Sequence, residues 1–145
     1  MTACPVEDRL AIQDLLVAYA HAVDSLNDLD GICAVFTRDA VFDLSGIGFP
    51  KLEGHAEIRG FFEETFASMA AHAHYLTNFA ITAYDGDAAS VSAYVTGMGR
   101  YRAGGSITVH GRYYFDVVRT GDGWKATRYT MDFLIPPGST EGATE

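Results

Sequence analysis

The sequence predicts an α+β domain whose N-terminal helices pack on one face of a strongly curved antiparallel sheet. Apolar residues recur at helical spacing through the first half of the chain and change to a period of two from about residue 72. Helices first, with an antiparallel meander after them, is the pattern of segregated layers. The expected strands run well past the usual length of about five or six residues. Strands that long must twist and curl, and a sheet curled around helices leaves a conical cavity with one open mouth. The 145 residues, 48% of them hydrophobic, fit one domain with a real core. That domain is expected to occupy 1–138, with 139–145 as a disordered tail.

Pro5 suits the first position of a helix, and Glu7 and Asp8 suit its positive N-terminal end. Ile12, Leu15, Leu16, Tyr19, Val23 and Leu26 then repeat at helical spacing for about five turns, until the polar stretch Ser25–Asp30. A short second helix covers about Leu29 to Phe36, with Ile32, Val35 and Phe36 on one side. Thr37-Arg38-Asp39 reads as a turn and Ala40–Leu44 as a first strand. Ser45-Gly46-Ile47-Gly48 breaks that strand, and Phe49–Leu52 returns as a hairpin arm. After Gly54, the residues Ile58, Phe61, Phe62, Thr65, Phe66 and Met69 follow the i, i+3, i+4, i+7 pattern of an amphipathic helix. Four long strands come next: His74–Tyr84, Ala88–Arg102, Ser106–Val118 and Trp124–Ile135. Asp85-Gly86-Asp87, Ala103-Gly104-Gly105 and Thr120-Gly121-Asp122-Gly123 between them are good hairpin turns. Pro136-Pro137-Gly138 stops the last strand. No internal repeat or linker interrupts this order.

Charge and composition exclude several functions. The formal net charge is −9, from 19 acidic and 10 basic residues. Such a surface repels phosphate backbones, so nucleic acid is not an expected partner. There is no apolar run of membrane-spanning length and no charged-then-apolar leader, so no membrane partner and a cytoplasmic location are expected. Cys4 and Cys33 give neither a disulfide framework nor a zinc-type spacing, and are read as reduced thiols. Gly97-Met98-Gly99 lies inside a strand and is not a phosphate loop. Nucleophile-elbow and zinc-protease motifs are missing as well.

A few polar residues fall where chemistry could occur. Asp24 sits at the border of the apolar stripe of the first helix, and Tyr19 near the middle of that stripe. A carboxylate in that position is desolvated unless paired, and it lies at the helix end where negative charge is unfavourable. His72 and His74 meet the helix-to-strand crossing two residues apart. A His-x-His pair can bind metal, but no further ligands stand at a recognisable spacing, so no metal is assigned. The other reading for one histidine is a general base whose tautomer is fixed by a carboxylate. Arg128 is mid-strand, on the expected face of Trp124, Ala126, Thr130 and Asp132. It is either solvated or held by a carboxylate, Asp132 or Asp24 across the cavity. His110 and Arg112 share a strand face, forming either a second polar wall or an outward surface, and Arg112 is placed outward. Of the eight tyrosines and nine phenylalanines most belong to the core. Phe42, Phe62 and Tyr94, with His110 and Met131, are the residues expected to line the cavity, which suits a flat or alicyclic organic substrate.

The order of these pieces resembles the SnoaL-like branch of the nuclear-transport-factor-2-like superfamily. The resembling text is "AIQDL" from Ala11 to Leu15, "AVD" ending at Asp24, "GIG" at Gly46–Gly48, "EG" at Glu53–Gly54, "HYLTN" from His74 to Asn78, and a closing Arg128…Asp132-Phe133. It spans about residues 8 to 137. Hexachlorocyclohexane dehydrochlorinase is the nearest local likeness, and scytalone and bile-acid dehydratases belong to the same superfamily. The resemblance implies a cone-shaped, cystatin-like α+β barrel with a mixed, mostly antiparallel sheet. It also implies a catalytic dyad of Asp24 and His74, assisted by Arg128, with no cofactor. Where the dehydrochlorinase has lysine, this chain has Tyr19, which is neutral at pH 7 and donates a hydrogen bond to oxygen. The expectation is therefore a lyase acting by acid–base β-elimination on a small hydrophobic, cyclic substrate, with water rather than chloride leaving. The alternatives are an isomerase or polyketide cyclase using the same dyad, and a non-catalytic binding module or dioxygenase small subunit. The resemblance further implies a homotrimer, or a homodimer.

Overall fold

In the computed structural model, which describes residues 3–137, three helices pack into the concave face of one six-stranded sheet. Helix α1 spans Val6–Ser25, α2 Leu29–Val35 and α3 Gly54–Ser68. The strands are β1 Phe36–Asp43, β2 Lys51–Glu53, β3 Met69–Tyr84, β4 Ala88–Tyr101, β5 Ser106–Thr120 and β6 Gly123–Ile135. Their order across the sheet is β2-β1-β6-β5-β4-β3, antiparallel throughout except where β1 runs parallel to β6. This is the expected mixed α+β cone. The expected tail, 139–145, lies outside the described residues, as does residue 138. No helix among the described residues is long and apolar enough to cross a membrane.

Local chemistry explains the element ends. Glu7 and Asp8 occupy the first turn of α1, and Leu26 closes it in a left-handed conformation at φ 61°. The Asp28 side chain accepts the Gly31 amide and starts α2. Ile12, Leu16, Ile32 and Ile58 carry the helix stripes into the core, where they meet Phe42 and Phe115, and all six are essentially fully buried. Each such side chain contributes roughly 1.5–3 kcal/mol of burial.

Three sequence expectations need correction. Thr37-Arg38-Asp39 is not a turn before a strand: β1 begins at Phe36, directly after α2. The turn chemistry shows instead as an irregularity, because five residues of β1 cover the stretch that two residues of β6 cover. Met69 leaves the α3 stripe and opens β3, which starts five residues before His74. The third correction concerns β6. Asp116 faces Arg128 but Val117 faces Ala126, so Thr127 is an extra residue on that strand. The bulge reverses the side-chain alternation. Trp124 and Ala126 are buried before it, and Tyr129 is buried after it.

At the narrow end, Asp8 ties α1 to the hairpins. Its Oδ2 accepts Tyr84 Oη–H at 2.6 Å and Arg119 Nη2–H at 2.7 Å, and the Arg119 guanidinium lies over Trp124 at 4.6 Å. The bonds from Arg119 and Tyr84 hold the Asp8 carboxyl below the usual carboxylate range.

Candidate active site

The wide end of the cone holds a cavity of about 420 Å³. Its walls are apolar, including Val95, Met98, Ile107, Val109 and Phe133. A deeper recess of about 190 Å³ adjoins it, with Tyr19, Phe42, Phe62 and Tyr129 in its lining. His72, His74, Tyr113 and Met131 border both spaces.

Two elements bring Asp24 and His74 together. The last turn of α1 docks on β3, an edge strand of the sheet. There Asp24 Oδ2 accepts the backbone N–H of His74 at 3.0 Å, and Oδ1 accepts from His74 Nδ1 at 2.6 Å. An ionised carboxylate cannot donate, so Nδ1 carries the hydrogen and the Nε2 of the neutral ring has its lone pair free. Both side chains are largely sheltered, at 18% and 28% exposure for His74 and Asp24. Gly97 faces His74 across the β3–β4 ladder. A Cβ there would lie 3.2 Å from Nε2, so glycine keeps the front of that nitrogen clear.

Three phenols form the polar floor. Tyr19, Tyr113 and Tyr129 are buried, and their rings pack against one another with centroids 5.2–5.8 Å apart. Burial pushes all three phenols up, and the negative charge of Asp24 adds to the effect at Tyr113. They therefore stay protonated and act as donors over the ordinary pH range. Tyr113 and Tyr129 were not singled out from the sequence. The alternation that put Arg112 and Tyr114 on one face of β5 already placed Tyr113 and Phe115 on the other.

Phe42 and Phe62 line the recess, and Met131 borders both spaces. Tyr94 lines neither: it lies on the opposite face, 38% exposed, under the Arg112 guanidinium at 5.3 Å. His110 is likewise exposed and outside the lining, because the inward row of β5 is Val109, Gly111 and Tyr113. Arg128 is turned away from Asp24 by the Thr127 bulge. Its Nη2 donates to Asp43 Oδ2 at 3.1 Å, with a side chain 42% exposed.

Among the described residues, Asp24, His72 and His74 bring possible metal-ligand atoms within 4.8 Å of one another. His72 Nδ1 donates to the Val23 carbonyl at 3.1 Å and His74 Nδ1 to Asp24, so one nitrogen of each ring is left beside a carboxylate that already accepts twice from His74.

A helix-lined cone with a sheltered Asp–His pair at its mouth defines the class of small α+β barrels that carry ligand cavities. The chain belongs to the SnoaL-like domain family, which matches residues 5–130. It is 34% identical to an uncharacterised protein of Mycobacterium tuberculosis over 88% of this chain and 86% of that one. It is also similar to a Novosphingobium aromaticivorans protein provisionally described as an aromatic ring hydroxylase. Those two share 62% identity and a TM-score of 0.92 over 98% of this chain and 100% of the other. Two solved structures at 19% identity share the fold. A provisionally named scytalone dehydratase of N. aromaticivorans has a TM-score of 0.82, over 90% and 86% of the two chains. The hexachlorocyclohexane dehydrochlorinase of Novosphingobium barchaimii has a TM-score of 0.78, over 90% and 88%.

Proposed function

We propose that the protein is a cofactor-independent lyase that removes water from a small, hydrophobic, cyclic hydroxy compound. The observation that carries this reading is the 2.6 Å Asp24–His74 bond, which leaves Nε2 free beside an apolar cavity of about 420 Å³. In the reaction, Nε2 takes a proton from a carbon next to an activating carbonyl, and the electron pair left behind forms the new double bond. Asp24 stabilises the imidazolium so formed. The C–O bond breaks, the departing oxygen receives the imidazolium proton, and water leaves with the ring restored to neutrality. The protonated phenols of the recess donate hydrogen bonds to the oxygens on which charge collects. Arg128 takes no part, being paired with Asp43.

The elimination enzymes among the fold neighbours support this class of chemistry, with water as the leaving group argued from Tyr19. The hydroxylase description of the N. aromaticivorans protein belongs to that protein. The test is incubation with hydrophobic β-hydroxy ketones and chlorinated cyclohexanes in D₂O, beside His74→Ala and Asp24→Asn. Elimination, or deuterium exchange next to the carbonyl, that disappears in both variants supports the dyad. Activity that survives in both sinks it, and a preference for chloride over hydroxide departure overturns the choice of water.

A further inference from the structure

We propose that His72 is the substrate's hydroxyl receptor: its Nε2 accepts a hydrogen bond from an alcohol or phenol on the ligand ring, so the site selects hydroxylated carbocycles. This rests on the reading of His74 as the base beside it, and adds what the ligand must carry.

The tautomer of His72 is fixed by the backbone. Its Nδ1 lies 3.1 Å from the Val23 carbonyl oxygen, which can accept but not donate, so Nδ1 holds the hydrogen. Val23 is in the last turn of α1, where carbonyls lack a helical partner. The amide four residues on, Asn27 N–H, is turned to Ser25 Oγ instead. His72 therefore caps an orphan carbonyl and faces the cavity with an Nε2 lone pair. Among the described residues no hydrogen bond reaches that nitrogen.

The two histidines are built alike and tethered differently. His72 faces Gly99 as His74 faces Gly97, though a Cβ at Gly99 would run first into Met69 Cε and lie 3.3 Å from His72 Cδ2. Their ring centroids are 5.4 Å apart, at right angles. His74 is held by a carboxylate, which suits a ring that gains charge during turnover. His72 is held by a neutral carbonyl. Beside an apolar wall of Val95, Met98 and Ile107, its Nε2 acceptor gives a ligand hydroxyl a defined partner.

The probes are 2-naphthol and 2-methoxynaphthalene, alike in shape but only the first a donor, with binding measured by calorimetry. The wild type is expected to prefer naphthol about tenfold, the worth of one hydrogen bond. His72→Asn places an amide where Nδ1 was, keeping the donor to Val23 and the fold, but has nothing at Nε2, and should bind both probes alike. His72→Gln reaches the Nε2 position and should restore part of the preference. His74→Ala should keep the preference while losing deuterium exchange. A preference that survives His72→Asn, or that vanishes in His74→Ala, overturns the assignment. Exchange activity surviving in His74→Ala would instead overturn the base.

Discussion

Replacing Asp24 by asparagine separates the dyad's chemistry from its contribution to stability, without needing a substrate. The carboxylate receives two donors, the His74 backbone N–H at 3.0 Å and Nδ1–H at 2.6 Å. Asparagine offers one oxygen and one NH₂. The backbone N–H cannot reverse, so the amide oxygen must face it and the NH₂ must face Nδ1. The ring then gives up its Nδ1 hydrogen and carries Nε2–H. A hydrogen bond to a charged group contributes about 1.5–3 kcal/mol and a neutral one about 0.5–1.5 kcal/mol, so exchanging both bonds loses roughly 2 kcal/mol. Part returns, because a negative charge at the end of α1 opposes the helix dipole by about 0.3–1 kcal/mol. The melting temperature should therefore fall by about 3–6 °C for a chain of this length. Activity should fall far more, by about 10⁴-fold, the order seen when a catalytic histidine is held in its wrong tautomer. Nitrogen-15 NMR of the imidazole reads the outcome directly. If Nε2 remains unprotonated in Asp24→Asn, the tautomer argument fails, and with it the account of why Asp24 is there.

Two further perturbations test the surroundings. Gly97→Ala sets a methyl 3.1–3.2 Å from His74 Cδ2 and Nε2, so the tethered ring must tilt by a few tenths of an ångström. We expect deuterium-exchange turnover to drop at least tenfold, with stability unchanged within about 1 kcal/mol, and wild-type turnover would show that the cleared space has no role. At the other end of the cone, Arg119 and Tyr84 depress the Asp8 carboxyl, so Asp8 stabilises the fold above the unfolded carboxylate range of about 3.9 and loses that contribution as the pH falls through its lower folded value. Asp8→Asn should therefore destabilise the protein to urea at pH 7 and progressively less below pH 4. A penalty that does not change with pH would refute the ion-pair account.

Helices and the long strands were legible because their signals are local. The stripe of Ile12, Leu16, Tyr19 and Val23 is buried as its spacing implies, and the glycine turns end the hairpins where they stand. Asp24 was legible for a related reason, since a carboxylate at a helix C-terminus beside an apolar stripe needs a partner. Arg128 was misplaced because its direction depends on counting alternate residues through Thr127, and one extra residue inverts every side chain after it. Tyr94 and His110 were misassigned by composition, an aromatic and an imidazole being taken as cavity residues without the strand face being followed.

The histidine–glycine pairing shows the same dependence working in the opposite direction. His72-Ala73-His74 and Gly97-Met98-Gly99 share a spacing of two, and antiparallel strands can lay one against the other. Counting back without interruption from Tyr84 opposite Ala89 sets His74 against Gly99 and His72 against Tyr101, a bulky partner in place of a cleared one. The ladder instead slips twice, between Ile81 and Ala83 and between Thr77 and Ala80. Asn78 takes the left-handed φ of 55° inside the second slip, a conformation its short polar side chain tolerates better than most. Each slip moves the partner by one residue, and together they bring Gly97 to His74 and Gly99 to His72. These two slips are thus part of the site, since they set both imidazoles over residues without side chains, and Gly97 leaves the His74 Nε2 open to the cavity.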